Sequence, residues 1–160
     1  MAIVIKRADG GVSVMTLLGD ALEAANSAPD HLETIVQAEI AQWQKEDRAD
    51  VVSWRVIPDE EIPTDKTFRA AWRDETPDLR IDLDMDRCRE IWKNKMRGSR
   101  ARKLAALDVD VVRAIESGQS TAELAQKKQA LRDVTKHPAL AAARTPEDLK
   151  QVWPDILNSP

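Results

Sequence analysis

Two apolar stripes of identical spacing dominate the second half of this chain. Met85, Cys88, Trp92 and Met96 recur at intervals of three, four and four, and Leu104, Leu107, Val111 and Ile115 repeat the pattern. That period lays each set along one face of an α-helix. Between the stripes stands Arg97-Gly98-Ser99-Arg100. One glycine costs a helix only about 1 kcal/mol, so a helix over 84–117 either runs through Gly98 or kinks there. Asp84 is placed to cap its start and Ser117-Gly118 to end it. Ser120 and Glu123 then have the spacing of a capping box. Leu124, Ala125, Lys128, Leu131 and Val134 mark one face of a second helix over 120–135. The connection SGQS is short, so the two helices are expected to be antiparallel neighbours. In that hairpin Leu104, Leu107 and Val111 face Leu124 and Leu131. Arg132-Asp133 closes the second arm, where either residue is expected to make a helix-terminal hydrogen bond or ion pair. His137-Pro138 lies beyond the helix end. Thr145-Pro146 opens a short terminal helix holding Leu149, Val152 and Trp153, which Pro154 stops.

The front half follows a different period. Ala2–Lys6 and Val12–Met15 flank Asp9-Gly10-Gly11, which predicts a β-hairpin. Two such short strands need a third for stability, and Val51–Ile57 (VVSWRVI) is the best candidate. Asp30 and Glu33 suggest a capped helix with Leu32, Ile35, Val36, Ile40 and Trp43 at helical spacing, packed across the sheet. Residues 17–28 carry only a weak helical pattern. Residues 58–65 (PDEEIPTD) form an acidic, proline-marked connector. Thr64 is placed to cap a short helix with Phe68, Ala71 and Trp72, Pro77 to end it, and Leu79–Leu83 to add a brief strand. The expected fold is α+β, mostly α. It has a small N-terminal unit over 1–76, with an antiparallel sheet and packed helix. A linker over 77–83 and a helical hairpin with a terminal helix over 84–160 follow.

Charge supports the division. Residues 1–84 hold 9 Lys/Arg and 18 Asp/Glu, a net of −9, whereas residues 85–160 hold 15 and 10, a net of +5. An acidic front and a basic back also favour contacts between copies, so a homo-oligomer is among the expected partners. The single cysteine excludes an intramolecular disulfide. The N-terminal segment is charged too soon for a signal peptide, and no run approaches eighteen apolar residues. The expectation is a soluble protein made inside a cell, without a membrane partner. The five tryptophans, Trp43, Trp54, Trp72, Trp92 and Trp153, are spread along the chain and read as separate packing anchors.

Chemistry-bearing patterns fail on inspection. Asp82, Asp84 and Asp86 begin like a calcium loop, but Arg87 and Lys93 occupy the positions that need glycine and glutamate. An acidic start to a helix explains them better. His31 and His137 lack ligands at metal-binding spacing. Cys88 lies on the apolar stripe, which favours a buried thiol over a nucleophile. Asp59, Glu60 and Glu61 sit in the connector, where nothing would separate their pKa values for acid–base work. No phosphate-binding or dinucleotide fingerprint occurs. Neither a catalytic residue, a metal site nor a cofactor is expected. The one electrostatic feature is basic: Arg89, Lys93, Lys95, Arg97, Arg100, Arg102 and Lys103 oppose only Glu90. Arg89, Lys93, Arg97, Arg100 and Lys103 are candidate polyanion contacts for a nucleic-acid-binding accessory. A run without a reading motif is more often a solvated or intramolecularly paired face, so nucleic acid is not the expected partner.

The stretches ARKLAALDVDVVRAIESG, AQKKQALRDVT and TPEDLKQVWPDIL resemble small proteins of tailed bacteriophages and prophages, grouped with tail assembly chaperones and tail-fibre assembly proteins. The likeness is to a helix, a variable connector and a second helix ending in Gln129-Ala130-Leu131-Arg132-Asp133. The segment IPDEEIPTDKTFRAAW (57–72) is similar to a stretch preceding that hairpin, so the resemblance spans 51–157. Asp108-Val109 stands where the pattern has Asp-Trp, and Lys127-Lys128 where it has Tyr-Arg. The resemblance implies a non-catalytic protein acting by protein–protein contact at or near the tail, as an assembly factor or a virion component. A head, neck or capsid-associated position is the alternative. It also implies tail or tail-fibre proteins as partners and a place in the host bacterial cytoplasm during assembly. It carries over no active site. The residues expected to matter are Leu104, Leu107, Val111, Leu124, Leu131, Arg132, Asp133 and Trp153.

Overall fold

Apolar side chains stand at four successive positions of β1 (Ala2–Arg7), and in the computed structural model the strand is covered on both faces. The structure describes residues 1–46, 50–76 and 80–158. Strand β1 lies at the centre of an antiparallel sheet, between β2 (Val12–Thr16) and β3 (Val51–Ile57). Ile3 pairs with Met15 and Val56, and Ile5 with Ser13 and Trp54, with an irregularity after Lys6. Alternate residues leave opposite faces of a strand, so each face of β1 builds its own core. Ile3 and Ile5 pack with Ala25, Val36, Ile40 and Trp43. Ala2 and Val4 pack with Val12, Ile57, Trp72 and Ile81.

The first core is supplied by α1 (Asp20–Ser27) and α2 (Pro29–Lys45). The weakly patterned segment 17–28 thus contains a helix. Helix α2 starts one residue before the expected Asp30 cap. Ala28 is extended and Pro29 opens the helix, where a missing backbone N–H costs nothing. Asp30 falls in the first turn, and no side chain caps the start.

The second core corrects the reading of 64–83. Phe68, Ala71 and Trp72 are buried as expected, but not on one helix. A single 3-10 turn at Arg69–Ala71 gives way to β4 (Trp72–Arg73), which pairs with β5 (Asp82–Leu83). Thr64 caps nothing, because the turn starts after Phe68. Trp72 is drawn against Val4 and Ile57 on the sheet, and continuing the helix would carry it away. The expected end at Pro77 and strand start at Leu79 lie outside the described residues. Ion pairs and hydrogen bonds pin this segment. Arg55 reaches Asp74 through Nε (2.8 Å) and the Arg80 carbonyl through Nη2 (2.8 Å). The Asp82 carboxylate accepts the backbone N–H groups of Glu75 (3.0 Å) and Thr76 (2.9 Å). Donation from Thr76 holds Asp82 below its ordinary pKa.

The chain divides into two units, Met1–Asp84 and Met85–Pro160. Asp82 and Leu83 form the brief strand expected there, and they belong to the first unit although the linker was expected to run to residue 83. In the second unit, α3 (Met85–Glu116) runs unbroken through Gly98. Helix α4 (Ala122–Asp133) follows, then a 3-10 turn at Val134–Lys136, α5 (Pro138–Ala142), α6 (Pro146–Gln151) and a 3-10 turn at Asp155–Leu157. The architecture is α+β and mostly α, with the three-stranded sheet at the N-terminus and helices at the C-terminus. Two details of the hairpin differ from expectation. Thr121, not Ser120, precedes α4; the Ser120 hydroxyl accepts the Ala122 N–H at 3.3 Å, so the capping box with Glu123 does not form. Ile115 is 65% exposed, and Ala114 takes the inward position near the helix end.

Candidate functional site

Helix α3 is the element on which the second unit is assembled. Cys88, Trp92 and Met96 are buried along its first half. Three polar groups on the same side, Arg89, Trp92 and Arg100, each reach the C-terminal end of a different helix. Arg89 donates from Nε to the Leu140 carbonyl (3.2 Å) and from Nη2 to the Ala143 carbonyl (2.8 Å), at the end of α5. The Trp92 indole N–H donates to the Val152 carbonyl (2.9 Å), immediately after α6. Arg100 donates from Nη1 to the Arg132 carbonyl (2.7 Å), in the last turn of α4. The last carbonyls of a helix have no partner within it and carry the negative end of its dipole. An arginine or indole N–H from a neighbouring helix satisfies both needs.

This arrangement accounts for most of the basic run. Arg89 and Arg100, expected as candidate polyanion contacts, are instead committed to carbonyls. Lys93 donates to Glu90 (2.8 Å), and Arg97 donates to Asn94 (2.5 Å) and lies 3.6 Å from Glu90. Glu90 is consequently held below its ordinary pKa, by the Lys93 hydrogen bond first. Lys95 Nζ stands 4.6 Å from the centre of the Trp92 ring, within cation–π range. The Lys103 ammonium is buried and has no hydrogen-bond partner among the described residues. It lines a groove of about 430 Å³ with Ala106, Leu107, Asp110, Lys127, Leu131 and Ile156.

The residues expected to hold the hairpin are brought together in part. Leu131 is buried, whereas Leu104, Leu107, Val111 and Leu124 are half-buried. Leu107 and Leu131 line the groove between α3 and α4, and Lys128 of α4 forms an ion pair with Asp108 of α3. Asp133 makes the helix-terminal pairing: its carboxylate accepts from Lys136 (2.8 Å) and Gln129 (2.7 Å), which hold its pKa low. Arg132 contributes its carbonyl, through Arg100. Trp153 corrects the reading of isolated tryptophans, for its ring meets that of Trp92 edge-to-face at 5.4 Å.

His137 was placed in no element by the sequence pattern. It is the N-cap of α5, its Nδ1 accepting the Ala139 N–H at 3.3 Å. The signal was available as a residue with a side-chain acceptor directly before Pro138. Asp148 completes a capping box with Thr145 at α6 and is held below its ordinary pKa, most by the Arg144 N–H. His137, Asp148, Gln151 and Trp153 border an open depression of about 490 Å³, in which the histidine and the aspartate are thus occupied by helix caps. Cys88 is buried. Among the described residues no three His, Cys, Asp or Glu side chains are grouped to hold a metal ion. No described helix is long and apolar enough to cross a membrane.

Missing from the sequence reading is an apolar face on the outer side of α3. Val109 (50%), Val112 (53%) and Ile115 (65%) are exposed there, next to one another at helical spacing. Comparison with protein-family models, with curated proteins and with solved structures finds no match to this chain.

Proposed function

We propose that this chain is a non-catalytic protein of a tailed bacteriophage or prophage, acting by protein–protein contact at or near the tail. Its partners are then tail or tail-fibre proteins, met in the bacterial cytoplasm during assembly. Resemblance at 101–118 and 125–135 motivates the reading. The observation that carries it is that these two stretches form the arms of the α3–α4 hairpin, with Val109, Val112 and Ile115 turned outward. A rigid helical edge with exposed apolar side chains suits a contact surface better than a pocket for chemistry. The basic run favours no competing polyanion reading, because most of its charges already have intramolecular partners.

Deleting the gene from an inducible prophage tests the proposal. Tailless or fibreless particles in the electron microscope are the expected result. Intact, fully infectious particles overturn it, and empty or neckless heads move the protein to the head. Mass spectrometry of purified wild-type particles separates an assembly factor, absent from them, from a component that stays.

A further inference from the structure

We propose that the outer face of α3 pairs antiparallel with the same face of a second copy of this chain. The inference does not depend on the phage reading. Ala101, Ala105, Val109, Val112 and Ile115 follow one another at spacings of three and four and are all exposed. They form a continuous strip over about four turns, well away from the side of α3 that carries Met96, Leu107 and Ala114. Single exposed apolar residues need no explanation, whereas a strip of five on one helix does.

Shape and charge both select the partner. The strip is small at its N-terminal end, with two alanines, and large at its C-terminal end, with two valines and an isoleucine. Two copies running in opposite directions, with Val109 beside its own counterpart at the two-fold axis, set Ile115 of each between Ala101 and Ala105 of the other. Arg102 and Glu116 flank the strip at opposite ends. Both are exposed, and neither has an ion-pair partner among the described residues. The same antiparallel register sets Arg102 against Glu116 of the other copy, twice by symmetry. A parallel pairing would instead oppose arginine to arginine and glutamate to glutamate. Opposed helix dipoles favour the antiparallel sense as well. Such a contact is isologous and closes on itself as a dimer. A single helix face is smaller than the ~800 Å² per partner of a standard interface, so the association is concentration-dependent.

Sedimentation velocity of the full chain over roughly a hundredfold concentration range tests this by mass action. The expected result is a monomer giving way to a dimer. Val112→Arg, at an exposed position, abolishes the dimer, with an unchanged circular dichroism melt excluding misfolding. Arg102→Glu and Glu116→Arg each weaken it by at least about tenfold. The double variant Arg102→Glu/Glu116→Arg restores it, because the pair is then reversed but still complementary. A wild-type chain that stays monomeric overturns the proposal and leaves the face to a different partner. A dimer indifferent to Val112→Arg also overturns it, as does a double variant no better than the single ones.

Discussion

Replacing Arg89 with alanine removes a guanidinium that holds the end of α5 to α3. Two hydrogen bonds vanish, at 3.2 and 2.8 Å, both to carbonyls that α5 cannot satisfy itself. A hydrogen bond involving a charged group contributes about 1.5–3 kcal/mol net. The Arg89 side chain is 22% exposed, so water replaces part of what is lost. Its ion pair with Asp86, whose side chain is 94% exposed, adds almost nothing. The expected cost is about 2–4 kcal/mol. Because the chain has two units, a single melting curve mixes their transitions. Hydrogen exchange read by mass spectrometry is the sharper assay. Amides of 139–143 should lose protection by about 30- to 1000-fold, while those of β1 keep theirs. Arg89→Lys should recover about half of the loss, since an ammonium is a point charge without the planar fork. Wild-type protection of α5 in Arg89→Ala would refute the clamp, and full recovery in Arg89→Lys would refute the need for the fork.

Further predictions follow from burial and charge. Leu131→Ala, at a fully buried position, should cost about 2–5 kcal/mol, and Leu107→Ala less, because its side chain is half-buried beside the groove; chemical denaturation checks the order. Gly98→Ala should stabilise the second unit by up to about 1 kcal/mol, since an added Cβ meets nothing within 4 Å; an unchanged or lowered melting temperature would argue against a continuous α3. Asp82 titrates below its ordinary value of 3.8 when folded. Its contribution is therefore complete above that value and is lost as pH falls through the lower folded one. Acid unfolding of Asp82→Asn should show a shallower dependence on pH in that window than the wild type. Duplex DNA should show no measurable binding even at low salt, where any phosphate contact would be strongest.

The layout of the fold was readable where one period ran undisturbed. Ala2–Ile5, the α2 stripe through Val36, Ile40 and Trp43, and the first stripe of α3 through Cys88, Trp92 and Met96 all depend on burial of a regular face. The misreadings occur where one long-range contact outweighs a local signal. Trp72 leaves a helical pattern because the sheet face beside Val4 takes it. Asp30 and Ser120 are good capping residues that the chain does not use as caps, since the backbone enters each helix at another residue. The candidate site was less legible. A run of arginines and lysines announces charge but not its destination. That Arg89 and Arg100 serve carbonyls 54 and 32 residues away depends on where α5 and α4 come to rest. The exposed face at Val109, Val112 and Ile115 was hidden for a similar reason: Leu104, Leu107, Val109, Val111, Val112 and Ile115 look equally fit to be inside, and only the side taken by α4 decides between them.

The three clamps on α3 also set a timetable. A ribosome releases α3 first, with Arg89, Trp92 and Arg100 facing water. Arg100 finds its acceptor after 32 further residues, Arg89 after 54 and Trp92 after 60. Closure of the unit thus begins at Arg100, in the middle of the helix, then takes Arg89 near its start, and ends at Trp92. Contacts of such long sequence separation slow folding. Until Val152 has emerged, the nascent chain holds a long helix whose indole and apolar stripe are open to other surfaces.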